Sequence, residues 1–126
     1  MKIKSVSGIT YFVKNLNKTA SFYEALGFEI RKRESNHITV YSNWFWIDFV
    51  AIGKDERTKS KAGVELSNKG AGISLYLSVE NVDEFHTYLV SKKLKLSSKP
   101  QDQSWGNREF TLRDPDGYNL VIFKRK

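Results

Sequence analysis

The sequence predicts an α+β fold made of two tandem βαβββ modules, whose curved mixed sheets surround a cup-shaped cavity with the helices outside. Three observations lead to this prediction. The chain has 126 residues, the length of one ordinary domain. Strand-like alternation of polar and apolar residues is interrupted by only two amphipathic helical stretches. The hydrophobic pattern also repeats at an offset of 66 residues, which places residues 13–16 on residues 79–82.

The first module reads as a strand, a helix and three further strands. Alternation over residues 9–13 predicts the first strand. Asn15 or Asn17 can cap the helix that follows, and Gly27 supplies the left-handed residue that ends it. The remaining strands are predicted at Glu29–Arg33, His37–Tyr41 and Trp44–Ala51.

The second module repeats this order. Asn81 followed by Glu84 resembles a capping box and predicts the start of its helix. Strands are then expected at Leu94–Leu96, Arg108–Leu112 and Asn119–Phe123, and residues 114–117 form a turn. We therefore predict one domain over residues 1–126, with module 1 at 3–52, a linker at 53–71 and module 2 at 72–126.

Composition excludes several classes of protein. The apolar fraction of 40% and charged fraction of 28% are values typical of globular chains. The absence of cysteine excludes disulfides, thiolate catalysis and cysteine–zinc sites. The longest apolar run, residues 44–52, contains Asp48 and is about half of the ~20 residues that a membrane span requires. We expect a cytoplasmic protein with no membrane partner.

The net charge of +7 does not indicate a nucleic-acid partner, because the excess is spread along the chain and carried mostly by lysine. A chain with this charge repels a cationic ligand at long range. On charge alone, the sequence therefore favours a neutral or anionic ligand.

Two motifs resemble a known family. Residues 22–28 (FYEALGF) and residues 113–117 (RDPDG), within the tandem module pattern, resemble the vicinal oxygen chelate superfamily, which includes glyoxalases, extradiol dioxygenases and bleomycin resistance proteins. Residues 105–110 (WGNREF) look closest to the metal-free bleomycin-resistance branch. This fold carries both enzymes and pure binding proteins, so the resemblance implies a fold more than a function.

The resemblance also implies where a metal would be held. The four family ligand positions fall on Gly8, Ser74, Asp48 and Val121 in this sequence. Only Asp48 is a metal ligand by type, and His37 and His86 lie outside these positions. A catalytic divalent ion needs about three protein ligands, so we expect no metal and no other cofactor.

If those positions face the cup, strand alternation identifies its other lining residues. Trp105, on its loop, resembles the tryptophan that helps to wall the pocket in the bleomycin-resistance branch. The candidate ligand-binding residues are Phe12, Trp44, Trp46, Asp48, Tyr76, Trp105 and Glu109. Alternatives remain open: Trp44 and Trp46 could fill the cup or form a dimer interface, and Trp105 could anchor its loop. Asp48 could be an exposed carboxylate at a strand end or could pair with a lysine, and Glu109 could pair with Arg108, Arg113 or another subunit.

The leading hypothesis is a metal-independent small-molecule-binding protein of the bleomycin-resistance or glyoxalase-like type. It would act in antibiotic resistance or sequestration, as a homodimer, by holding a flat or aromatic ligand in an aromatic-lined pocket. The alternative is a glyoxalase- or dioxygenase-like lyase or isomerase. Such an enzyme would use Asp48 or Glu109 as general base, or a divalent metal at a displaced site.

Overall fold

The computed structural model describes residues 1–59 and 70–126. The chain divides into two compact units, Met1–Leu66 and Ser67–Lys126. Each unit contains a four-stranded mixed sheet and a ten-residue helix. The predicted α+β class and the two tandem βαβββ modules are therefore confirmed, whereas the predicted domain and linker boundaries stay a prediction.

The first unit follows the predicted order and adds one short helical turn. Its sheet order is β1-β4-β3-β2, with β1 parallel to β4 and the other neighbours antiparallel. The elements are β1 (Gly8–Val13), α1 (Leu16–Ala25), β2 (Glu29–Arg33), β3 (His37–Ser42), β4 (Phe45–Ala51) and α2 (Glu56–Lys59).

One face of this sheet is buried under α1. The ring of Tyr23 in α1 lies 4.5 Å from that of Phe49, which also contacts Tyr11 edge to face. Residues on this face are fully or almost fully buried: Tyr11, Val13, Ile38, Val40, Ile47 and Phe49. Because strand side chains alternate, the residues between them lie on the opposite side, which we call the helix-free face of the first sheet because α1 does not pack on it.

The second unit repeats this construction with sheet order β5-β8-β7-β6. The elements are β5 (Ser74–Ser78), α3 (Val82–Ser91), β6 (Gln101–Asp102), β7 (Asn107–Arg113) and β8 (Asn119–Arg125). Its buried core contains Leu89 of α3 together with Phe110, Leu112, Leu120 and Ile122 of the sheet. His86 is half-buried, with its ring 5.0 Å from that of Phe110, so it packs on this core. The other side is the helix-free face of the second sheet.

The helix ends form as their sequences predict. The side chain of Asn15 accepts a hydrogen bond from the Lys18 amide at 3.0 Å, and Asn81 accepts one from the Glu84 amide at 3.0 Å. Each asparagine thereby satisfies one amide that the helix leaves unpaired. Gly27 follows α1 with φ +102°, the left-handed conformation that favours glycine.

Two strand predictions were wrong in detail. The expected strand Leu94–Leu96 is reduced to one bridge between Leu96 and Leu112, and β6 forms the sheet edge instead. Beside this bridge the Ser97 amide donates to the carbonyl oxygen of Thr111 at 2.9 Å, and the Thr111 amide donates to the side-chain hydroxyl of Ser98 at 3.0 Å, so a side chain completes the pairing.

The fourth strand begins at Phe45, not at Trp44. Asn43 adopts φ +56°, which keeps Trp44 in the two-residue turn between β3 and β4.

The predicted linker starts as ordered structure. Its first residues fold back after β4, where the Gly53 amide donates to the hydroxyl of Thr58 at 3.0 Å and Asp55 is buried. Residues 60–69 of the linker lie outside the described residues. Among the helices that the structure describes, none is long and apolar enough to cross a membrane.

Candidate functional site

The helix-free face of the first sheet carries three of the predicted site residues. Register places Trp46 beside Gly8, and Asp48 beside Thr10, on neighbouring parallel strands. Phe12 follows on the same face, two residues after Thr10 in β1. Trp44 lies outside the strand, in the turn, with 72% of its surface exposed.

Trp46 covers Gly8. A β-carbon built on Gly8 would overlap ring atoms of the Trp46 indole. The glycine is therefore needed for the close approach of the ring, and no side chain fits at this position beside it. This is the position that the family resemblance assigns to a metal ligand.

Asp48 is buried and has both carboxylate oxygens engaged. Its Oδ1 accepts a hydrogen bond from the Thr39 hydroxyl at 3.1 Å and lies 3.0 Å from Nδ1 of His37. Its Oδ2 accepts from Nη1 of Arg57 at 2.7 Å. Among the described residues, Asp48 thus pairs with an arginine from the predicted linker and with no lysine.

Arg57 joins Asp48 to a second buried carboxylate. Its Nε and Nη2 donate to the two oxygens of Asp55 at 2.8 and 2.9 Å, a forked geometry, and Asn36 also donates to Asp55. Hydrogen bonding from Arg57 lowers the pKa of Asp55 from 3.8 to about 2. The two carboxylates in turn hold the pKa of Arg57 above its ordinary value.

His37 extends this network to Glu34, because its Nε2 lies 2.7 Å from the Glu34 carboxylate. Sequence reasoning missed His37 as a neighbour of Asp48, although counting back along β3 and β4 from the turn at residues 43–44 puts both on one sheet face. Arg57 carried no comparable signal, since its position depends on how the chain folds back after β4.

The helix-free face of the second sheet carries the other predicted residues. Glu109 of β7 lies opposite Phe123 of β8, and Tyr76 of β5 is on the same face. The rings of Tyr76 and Phe123 meet edge to face at 5.4 Å, and Tyr76 remains 49% exposed. Aromatic surface on a strand that stays open to solvent is a feature of ligand sites.

Glu109 is 5% exposed and has neutral donors as its partners. Its Oε2 accepts hydrogen bonds from the Asn107 amide at 3.2 Å and from the Trp105 indole at 3.4 Å. Trp105 itself is 63% exposed, so its indole N–H contacts Glu109 while most of its surface remains accessible to solvent.

The two arginines considered as partners of Glu109 are engaged elsewhere. Arg108 donates to both oxygens of Asp83 at 2.8 Å and to Asp102 at 3.0 Å. Arg113 donates to the carbonyl oxygen of Gly117 at 2.9 Å. Glu109 therefore has no ion pair within residues 1–59 and 70–126.

The residues present do not form a metal centre of the family type. Ser74 accepts a hydrogen bond from Asn119 at 2.8 Å, and Val121 is an apolar side chain in the core. In the part of the chain that the structure describes, no group of three or more histidine, aspartate or glutamate side chains could hold a metal ion.

Two βαβββ modules, each with a four-stranded mixed sheet and one ten-residue helix, define the class of small α+β proteins to which this chain belongs. Residues 5–122 match the family model described as the Glyoxalase/Bleomycin resistance protein/Dioxygenase superfamily. The chain therefore belongs to that superfamily. No curated protein matches it in sequence.

Solved structures show the same fold at low identity. A bleomycin-binding protein complexed with bleomycin is 22% identical over 98% of this chain and 100% of that chain, with a TM-score of 0.66. A glyoxalase-related enzyme from Fulvimarina pelagi is 22% identical over 96% and 88%, with a TM-score of 0.78. A virulence protein from Salmonella typhimurium is 18% identical over 100% of both chains, with a TM-score of 0.78. At these identities the likeness supports the fold alone.

Proposed function

We propose that this protein binds a small, flat organic molecule without a metal ion, and that it captures the molecule rather than transforming it. The observation that carries the proposal is the exposed aromatic surface on the helix-free face of the second sheet. Trp105 is bonded there to the buried carboxylate of Glu109, and the exposed Tyr76 lies on the same face beyond Phe123. Aromatic walls with a few placed polar groups suit a flat ligand. The bleomycin complex of a protein with this fold is consistent with such a role.

Independence from metal rests on two contacts of the first sheet. The indole of Trp46 occupies the space in front of Gly8. The carboxylate of Asp48 is already neutralised by Arg57 and bonded to Thr39. An ion at this face would have to displace both groups and would gain few ligands in return.

The contacts of Asp48 argue against its use as a general base, and therefore favour binding of the ligand over its conversion. A general base needs a free oxygen within reach of the proton that it removes. Both oxygens of Asp48 instead hold hydrogen bonds inside the protein. An antibiotic as the ligand, a homodimeric state and a cytoplasmic location stay predictions from the sequence.

A thermal-shift screen of flat aromatic compounds in the presence of EDTA tests the proposal, with tryptophan emission recorded in parallel. We expect at least one compound that raises the Tm and quenches emission, and we expect both effects to be lost in Tyr76→Ala and Trp105→Ala. Tyr88→Ala is the matched control, because Tyr88 is an exposed tyrosine on α3. Binding that EDTA abolishes, or that Tyr88→Ala weakens as much as Tyr76→Ala does, would contradict the proposal.

A further inference from the structure

We infer that the ligand of this site is an organic cation, a flat ring system bearing a quaternary nitrogen, protonated amine or amidinium, and that Glu109 is its counter-ion. This inference rests on the proposed function and specifies the ligand class. It starts from the environment of Glu109, which differs from that of every other buried carboxylate that the structure describes.

A buried carboxylate is normally paired with a cation or held by several donors, because burying an unpaired charge is costly. Asp48 and Asp55 follow this rule through Arg57, and Asp114 accepts two backbone amides. Glu109 has two neutral donors, and both bond to Oε2. Its Oε1 accepts no hydrogen bond from the described residues, which leaves it available to a ligand.

The described residues of the second unit form no ion pair with Glu109, and three basic side chains of β7, β8 and the end of the chain are bonded to other groups. Arg108 is held by Asp83 and Asp102. Lys126 also pairs with Asp102, at 2.6 Å, and Lys124 donates to the carbonyl oxygen of Glu80 at 2.9 Å. Arg108, Lys124 and Lys126 are thus engaged by groups other than the Glu109 carboxylate.

The surroundings of Glu109 suit an organic cation better than a bare ion. Trp105 presents an open ring whose N–H is bonded to the same carboxylate, and Phe123 lies directly opposite Glu109 in the strand register. A cation gains energy over aromatic faces as well as from the carboxylate, most of all with tryptophan. A small inorganic ion would leave these rings unused.

The net charge of +7 is compatible with this inference, because it acts on a cation at long range and has little effect once the ligand is in contact with Glu109. Long-range repulsion acts on the rate of encounter and is screened by salt, whereas a desolvated contact pair controls how long the ligand stays. The expectation of a neutral or anionic ligand came from the total charge alone. The local arrangement of Glu109 and its neighbours favours the opposite sign.

Calorimetric titration with three probes of matched shape tests the inference: N-methylacridinium, acridine at pH 8 and acridine-9-carboxylate. We expect the wild-type protein to bind N-methylacridinium about tenfold or more tightly than acridine, and acridine-9-carboxylate most weakly, as one close charge pair would produce. Glu109→Gln, which removes the charge and keeps an acceptor for Trp105 and Asn107, is expected to abolish this preference, so that N-methylacridinium and acridine bind with similar affinity. Glu80→Gln removes the same charge from an exposed residue and is expected to keep the preference.

Equal or tighter binding of acridine by the wild type, or no binding of N-methylacridinium, overturns the inference. A loss of preference in Glu80→Gln equal to that in Glu109→Gln does so as well. The proposed function survives these outcomes if a neutral aromatic compound still binds and requires Tyr76 and Trp105. The ratio between probes in the wild type needs no variant, so the test holds even if Glu109→Gln does not fold.

Discussion

At the scale of single residues, one added methyl group at Gly8 would collide directly with a neighbouring side chain. A β-carbon at this position would enter the ring of Trp46. Gly8→Ala should therefore displace the indole or the strand and lower the free energy of unfolding by about 1–3 kcal/mol, the usual range for overpacking. Urea unfolding measures the loss, and a shift of the tryptophan emission maximum reports the ring displacement.

A double-mutant cycle separates this clash from a general effect on β1. Trp46→Leu removes the ring that the added methyl would meet. In the Trp46→Leu background, Gly8→Ala should cost less than in the wild type, and the difference is the interaction energy of the pair. An equal cost in both backgrounds would show that Trp46 does not determine the need for glycine here.

The sequence predicted which face Trp46 and Asp48 occupy but not what they contact. Alternation fixes the side of a sheet because the strand period is two. It carries no information on which side chain covers Gly8, or on whether Asp48 meets a lysine, an arginine or a ligand. Those contacts depend on rotamers and on Arg57, which lies in a segment without strand or long-helix periodicity.

At the scale of elements, the short helix α2 and the residues before it are held to the first sheet by ion pairs. Arg57 connects Asp55 to Asp48 of β4, and Asn36, which precedes β3, donates to Asp55. Buried ion pairs contribute little net stability, but removing one partner leaves an uncompensated charge. The attachment of α2 should therefore depend on the ionisation of Asp55.

The pH dependence of this attachment follows from the lowered pKa of Asp55. In the folded protein that pKa is about 2, below its ordinary value of 3.8, because Arg57 stabilises the carboxylate. The stabilisation is fully present above pH 3.8 and is lost as the pH falls from 3.8 to about 2. We expect Asp55→Asn to be less stable than the wild type by about 1–2 kcal/mol at pH 6, and the gap to close near pH 2.

Urea unfolding of both proteins between pH 2 and pH 6 measures the gap directly. Glu24→Gln is the control, because Glu24 is an exposed acid on α1 whose removal should change the free energy of unfolding only slightly. A constant gap between the wild type and Asp55→Asn across this range would show that Asp55 gains nothing from Arg57.

The elements themselves differ in how far their sequences predict them. Helix caps at Asn15 and Asn81 and the left-handed Gly27 were predicted because each depends on one side chain and its local backbone. The edge strand β6 was missed because Gln101 and Asp102 show no apolar alternation, and their pairing is set by β7. Edge strands that bury little are recognisable mainly through their neighbours.

At the scale of the whole molecule, the tandem repeat was the strongest signal, since it combined weak matches over two modules into one prediction. Total charge was a weaker guide. It is a sum over exposed side chains, so it predicts how the protein acts on a distant ion but not which groups remain unpaired inside a site. Glu109 is such a group. Its surroundings favour a cationic ligand, whereas the total charge favoured a neutral or anionic one.

The long-range effect of the net charge and the local pair with Glu109 should act on different rate constants of N-methylacridinium binding. Raising the ionic strength from 10 mM to 300 mM shortens the screening length from about 30 Å to about 6 Å. It should therefore raise the association rate by a factor of about two to five, because a chain of net charge +7 repels the cation before contact. The dissociation rate should change little, because the pair with the buried carboxylate of Glu109 is poorly screened.

Stopped-flow tryptophan fluorescence resolves the two rates, with acridine as the neutral probe whose association should not respond to salt. Glu109→Gln should keep the salt dependence of association, since the total charge rises only slightly, but should release the cation faster at every ionic strength. An association rate that falls with salt would mean that carboxylates near the binding face, and not the lysine-rich surface, control the approach of the ligand.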